Sequence, residues 1–482
     1  MQVNVIAAEP YAPDPDPGVR VFDSRDAPAD RDGLARLAER VRGADLAAPP
    51  VALPDFHHEG GMEAPCSTAV ATRETIRPTL VNASVNCGMA LIALDAEPPG
   101  TAAISEFYRR IRERLPHPSG VRPRVSGKDV LRASVEGAAF AVDRWGVDPA
   151  ELSRVEESGR VPVEPHGGPD GVRRELPWLV RQLSRLQFGT VGPTNHFVEL
   201  QRVEEVFDPV AAGLLGVAPG QLTIQYHAGG GVLTGIIGRM YGRRTDYPRK
   251  HRAFMAWEKP LVHLARARSL EEFRRRMALY FTDGCPPVPR EGTEGRRLLL
   301  ANAAAMNYGF AYRLAVYAEL RAVAAAALGA AGSGLVVDSP HDTLYEEEHG
   351  GESVLVHRYK SCRAFPASKM AGHPVFGRTG QPVLVPGTNR TSSFLCVADE
   401  GARSSLYSAC HGTGTIVSAF AERGLSGQDP RGRKTLVYRY SDGAPAEVPQ
   451  LDDRGIDEAV GILHGHSIVR PVARLRPLAV LT

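Results

Sequence analysis

A chain of 482 residues that is 43% hydrophobic and 23% charged can bury one large core or two medium ones, and it is too apolar to stay disordered. A formal net charge of +2 gives no global attraction to polyanions, and six cysteines without paired Cys-x-x-Cys spacing exclude a disulfide framework or a zinc ribbon. No apolar run approaches the roughly 18 to 20 residues of a spanning helix, and the N-terminus lacks a basic region followed by an apolar one, so a cytoplasmic protein with no membrane partner is expected.

Residues 1–50 are rich in Pro, Asp, Ala and Arg, and read as an N-terminal extension packed on a core of residues 51–482. Leu34, Leu37 and Val41 have helical apolar spacing, which predicts an amphipathic surface helix over Asp32 to Asp45. From Val51 onward short β-branched runs alternate with Gly and Pro: LVNASVNCGMALIAL, LTIQYHAGGG, LVVDSP, VLVHRY, PVLVPG and LVYRY. These read as strands with polar side chains at their ends. Helices are predicted between them at Ile104–Leu115, Arg173–Leu186, Leu270–Phe281 and Arg296–Leu328. The last is apolar nearly all round, as a helix buried through the centre of a domain must be. Strands mixed irregularly with helices indicate one large α+β domain, with mixed sheets flanked by helices, rather than a doubly wound sheet. The Pro-rich stretches Pro116–Pro123 and Val161–Pro169 read as surface links.

Histidines at strand ends beside glycines carry the most chemical information: Asn195-His196-Phe197, His227-Ala-Gly-Gly-Gly, Ser-Pro-His341-Asp342 and Cys410-His411-Gly-Thr-Gly. Any one alone is more often a structural histidine in a turn. Together with Cys87 in the VNCGM turn, three imidazoles and a thiolate make a ligand set for one or two borderline divalent ions such as manganese or zinc. Cys410 and His411 are adjacent in an extended segment and point to opposite faces, so Cys410 is read as packing. Two basic runs, Arg109 to Arg114 and Arg243 to Arg252, are candidates for RNA phosphates. The first is interleaved with Glu106 and Glu113 and reads better as a solvated face.

LPDFHHEGG, the NCGM turn, FGTVGPTNHFVELQ, YHAGG, DSPHDTL, VHRYKSCRAFP, GQPVLVPGT, SACHGTG and RPVARLRPLAVL occur in that order. In this set and order the chain resembles the RtcB family of RNA ligases from about Leu53 onward. The resemblance implies a manganese site on Cys87, His196, His227 and His341, with Cys87 bridging, and His411 as the nucleophile that takes a nucleotide from GTP. It places the nucleotide against Asn195, Glu199, Thr388, Thr413 and Gly414, and makes Asp55 a carboxylate associated with the metal. It implies joining of an RNA 3'-phosphate or 2',3'-cyclic phosphate to a 5'-hydroxyl through a histidine–nucleotide intermediate, with an activating helper protein among the partners.

The chain also departs from the family's pattern. Ser84 stands where the family has a metal-binding aspartate, leaving Asn82 and Asn86 as neutral oxygen donors nearby. Val448 stands where an aromatic residue stacks on the base, no lysine follows the PLAV segment, and Thr415 replaces an arginine. Tyr359 and Lys360 replace lysine and glycine, with Arg358 and Arg363 kept as candidate anion contacts. These changes define the alternative reading: a diverged nucleotidyl-transferring ligase acting on a non-RNA phosphate or carboxylate, or a non-catalytic metal- or RNA-binding relative.

Overall fold

The computed structural model describes residues 18–58, 62–117, 124–192, 196–241, 249–282, 286–441 and 443–482. Its centre is a helix over Thr293–Leu328, longer by one turn than its apolar pattern predicts. Alanine and glycine along it let neighbours approach on every side, so the helices Thr101–Arg114, Gly127–Glu136, Ala138–Trp145 and Gly231–Met240 all pack against it. Leu298, Phe310, Leu314 and Leu320 are among its buried side chains, each worth about 1.5–3 kcal/mol of burial.

Two mixed layers of strands lie beside this helix. The larger sheet has nine strands, and its main path runs Pro382–Val385, Ser393–Ala398, Val469–Leu481, Phe197–Val206, Leu222–Ala228, Gly88–Asp95 and Gly332–Pro340. Neighbours on this path are antiparallel, while Lys434–Tyr438 joins Val469–Leu481 in parallel. A five-stranded sheet contains Thr68–Thr72, Glu352–Tyr359 and Asp342–His349. The chain passes from one sheet to the other at His341, the single residue between the strands ending at Pro340 and starting at Asp342. The α+β class with mixed sheets and flanking helices is therefore observed.

The predicted surface helix forms over Arg31–Arg40, capped by the Asp30 side chain. Leu37 of this helix is buried with Phe56 and Tyr359, and Arg20–Val21 pairs with Val51–Ala52, so residues 18–50 lie on the core. The single helix expected over Arg173–Leu186 is instead two, Gly168–Glu175 and Trp178–Ser184. Pro177 separates them: it drives Leu176 to φ −101°, ψ 97° and has no N–H to continue the ladder. The strand expected over LVNASVNCGMALIAL begins only at Gly88, because Asn86 turns the backbone to φ +58°. Helices over 127–145 were not predicted, as their apolar spacing is short and broken by Gly137.

Among the described residues no helix is long and apolar enough to cross a membrane. Arg109 pairs with Glu106 at 2.7 Å and with Glu113, and Arg110 pairs with Glu106 at 2.6 Å, so this run is a solvated face of intrahelical pairs. The basic run Arg243 to Arg252, Cys285 and most of the Pro116–Pro123 link fall on residues or side chains outside the described ones.

Candidate metal centre and its histidines

Four adjacent strands of the large sheet bring the donors to one end. Cys87 directly precedes Gly88–Asp95 and His196 directly precedes Phe197–Val206, while His227 lies near the end of Leu222–Ala228 and His341 directly follows Gly332–Pro340. Because neighbours are antiparallel, two strands begin and two end at the same edge. The register makes this explicit: His227 pairs with both Met89 and Phe197, and Gly88 pairs with Pro340. A Cβ on Gly88 would come within 2.8 Å of Pro340 Cα, so only glycine permits this approach.

Cys87 Sγ is 3.3 Å from His196 Nε2 and 3.2 Å from His227 Nε2. Donor atoms of Cys87, His196 and His227 lie within 4.8 Å of one another, as do those of His227, His341 and His411. The two triads share His227. A Cβ on Gly229 would come within 3.1 Å of the Cys87 sulfur, which is why the HAGGG turn is bare there.

His411 arrives from elsewhere in the chain. The strand Ser408–Cys410 pairs with Ser361–Arg363, with Ser361 opposite Cys410, and the Ser361 N–H donates to the His341 carbonyl at 2.9 Å. His411 is thereby held with its ring centroid 3.9 Å from that of His341 and 6.1 Å from that of His227. Cys410 points the other way into the core, fully buried, with the Cys362 thiol 3.6 Å from its carbonyl oxygen.

Burial sets the protonation states. It lowers His411 to about 3, helped by the positive charges of Lys360 and His57, and it lowers His196 to about 4. His341 is pushed far below the ordinary imidazole range by burial and by the neighbouring His411 and His227. All three are neutral near pH 7, with lone pairs free to ligate or attack. Burial pushes the Cys87 thiol up to about 12, and the nearby Asp342 carboxylate adds to this. A buried His341 Nδ1 has no hydrogen-bond partner. One thiol, several neutral imidazoles and an orphaned ring nitrogen fit a divalent cation.

The turn before Cys87 is braced from the central helix. Arg313, fully buried, pairs with Asp338 at 2.7 Å and donates to the Asn86 carbonyl. The Asn86 side chain donates to Met306 of the same helix at 2.9 Å, and Asn82 Oδ1 accepts from Ser84 N–H at 3.1 Å, so both amides are turned to structural partners. The sequence pattern does not single out Arg313, an arginine inside an apolar helix, although that isolation is itself a signal of a buried pair.

Asp55 accepts from the amides of Thr415 and Ile416 at 2.9 and 3.1 Å. It caps the helix Gly414–Glu422 and so orients the HGTG turn; it is absent from both donor triads. Thr413 donates to the Pro386 carbonyl at 2.8 Å, tying that turn to the loop that carries Thr388. Thr388 caps Arg390 N–H at 3.1 Å, and Arg390 Nε donates to the carbonyl of Pro449, next to Val448. Gly414 is the first residue of the helix that follows. Glu199 is buried one strand away, accepts from Gln201 at 2.6 Å, and is raised by burial to about 8. Asn195 lies outside the described residues. Arg358 and Arg363 are committed within the protein: Arg358 forms a two-pronged pair with Glu347 at 2.6 and 2.9 Å, and Arg363 pairs with Glu157.

A family model described as tRNA-splicing ligase RtcB matches residues 44–482. The chain is 28% identical over 477 residues to a tRNA-splicing ligase RtcB of Archaeoglobus fulgidus, covering 94% of this chain and 91% of that protein. It is 30% identical over 456 residues to an RNA-splicing ligase RtcB of Mycobacterium tuberculosis, covering 89% and 95%. Similarity to a tRNA-splicing ligase RtcB of Pyrococcus abyssi, 29% over 419 residues, spans 82% of this chain and 42% of that longer protein.

Proposed function

The chain belongs to the RtcB family, and from that membership we propose that it is a metal-dependent RNA ligase of the cytoplasm that joins RNA ends through a nucleotide carried on His411. The observation that carries this reading is the placement of His411: a neutral imidazole, 3.9 Å between ring centroids from His341, at the edge of a Cys–His donor cluster.

A neutral imidazole attacks phosphorus through its lone pair. At neutral pH the His411 ring retains that lone pair because burial holds its pKa near 3. Attack on the α-phosphorus of a nucleoside triphosphate, GTP in our assignment, forms an N–P bond and breaks the bond to pyrophosphate. The nucleotide then passes to an RNA 3'-phosphate, regenerating His411, and a 5'-hydroxyl attacks that phosphate to close the strand and release the nucleoside monophosphate. Cys87, His196, His227 and His341 would hold manganese, which supplies Lewis-acid compensation for the charge on the phosphate oxygens. Asp55 fixes the turn after His411, and the Ser361 bridge fixes the strand before it, so the ring is presented in one orientation. The loops bearing Thr388 and Thr413, with Glu199 and Asn195, would receive the nucleotide, and an activating helper protein would act with the enzyme.

The test uses purified protein, manganese and each of four α-labelled nucleoside triphosphates, read as acid-labile label on the protein. Label is expected on the wild type and none on His411→Ala. Label that survives the substitution overturns the nucleophile, and transfer to 3'-phosphorylated RNA but not to other phosphates separates RNA joining from a ligase with another substrate.

A further inference from the structure

The donor cluster is short of negative charge. Its imidazoles are neutral, so a single thiolate would face one or two divalent cations, and a hard ion such as manganese favours carboxylate oxygen over nitrogen and sulfur. Ser84 does not make up the deficit: its side chain is exposed and its N–H is spent on Asn82. The amide of Asn86 faces the central helix.

A carboxylate nevertheless stands at the centre, on the opposite strand. Asp342 is 2% exposed and its Oδ2 is 3.8 Å from His341 Nε2. Its backbone is crossed with the Cys87 turn: the Asn86 N–H donates to the Asp342 carbonyl at 2.8 Å, and the His341 N–H donates to the Cys87 carbonyl at 2.9 Å. Asp342 thus lies directly across from the turn whose own acidic position is a serine. Its other oxygen, Oδ1, accepts from the Lys360 N–H at 2.8 Å. Lys360 adopts φ +48°, a left-handed conformation that costs a side-chain-bearing residue roughly 1–2 kcal/mol, and this turn aims its amide at Asp342. The carboxylate is held by one oxygen, leaving the other on the His341 side. That the field of Asp342 reaches the Cys87 sulfur is independent support for its position.

We propose that Asp342 is the carboxylate ligand of this metal centre, supplied from the strand after His341 in place of the residue at Ser84. The assignment rests on the metal-centre reading above. It makes the centre a mixed sulfur, nitrogen and oxygen site, and it ties the preference for manganese over zinc to one residue.

The experiment is direct metal binding to the purified full chain, by titration calorimetry and elemental analysis, with manganese and with zinc. Asp342→Asn keeps an oxygen to accept from the Lys360 amide and removes only the charge; Asp342→Ser is measured beside it so that misfolding of one leaves the other. Both are expected to weaken manganese by about tenfold or more, the scale on which a metal site responds to lost support. Zinc is expected to weaken by less than about threefold, since thiolate and imidazole suffice for it. Ser84→Ala is expected to change neither. Unchanged manganese binding in a folded Asp342 variant overturns the assignment while leaving the metal centre standing, whereas a wild type that binds neither ion overturns the centre and this assignment with it.

Discussion

Glu199 shows how one residue couples site and stability. Burial raises its carboxyl from 4.5 to about 8, against the opposing hydrogen bond from Gln201. The folded protein therefore keeps a proton that the unfolded chain has lost above its ordinary range. The stability this group contributes is complete below about 4.5 and disappears as the pH rises through about 8. Glu199→Gln should flatten that part of the profile and stabilise the protein at pH 8 by a few kcal/mol on the order of magnitude, read by urea unfolding at pH 5 and pH 8. Equal pH dependence in the two proteins would refute the buried, protonated carboxyl.

At the scale of elements, the decisive contact is between the central helix and the turn before Cys87. Arg313 is fully buried, paired with Asp338, and holds the Asn86 carbonyl. Arg313→Met keeps the volume but strands the Asp338 carboxylate, which should cost about 3–5 kcal/mol in chemical denaturation. Because the same guanidinium braces the Cys87 turn, bound metal should fall as well; a stability loss with full metal content would show that the brace is dispensable. Elements were legible in proportion to how locally they are encoded. The apolar run of Thr293–Leu328 and the runs ending in His227 and His341 announce themselves. The break at Pro177 was available from the proline itself, and the missing strand residues before Gly88 depend on a left-handed Asn86 that composition does not reveal.

In the whole molecule, the site is a junction. Its donors come from positions 87, 196, 227, 341 and 411, on two sheets and a bridging two-stranded ribbon. A cation held by the native state alone stabilises it in proportion to its occupancy, by about 2.7 kcal/mol at a concentration a hundredfold above its dissociation constant. Manganese should therefore raise the melting temperature of the wild type. Cys87→Ser should lose most of the bound manganese and of that rise, and Cys410→Ser should keep both, because Cys410 faces the core. Equal metal content in the two variants would remove the thiolate from the ligand set.

The order of the motifs and the glycine-flanked histidines determined the family, the nucleophile and four of the donors, because these are local signals: each turn must be bare where its backbone meets a ligand. Only the tertiary structure decided how the charge deficit at Ser84 is met. Asp342 and Ser84 are 258 positions apart in the chain and become neighbours only when the strands before His341 and after Cys87 pair, so that the backbone of Asp342 meets that of Asn86. Pairing of distant strands depends on packing around the central helix, a condition that no local pattern contains.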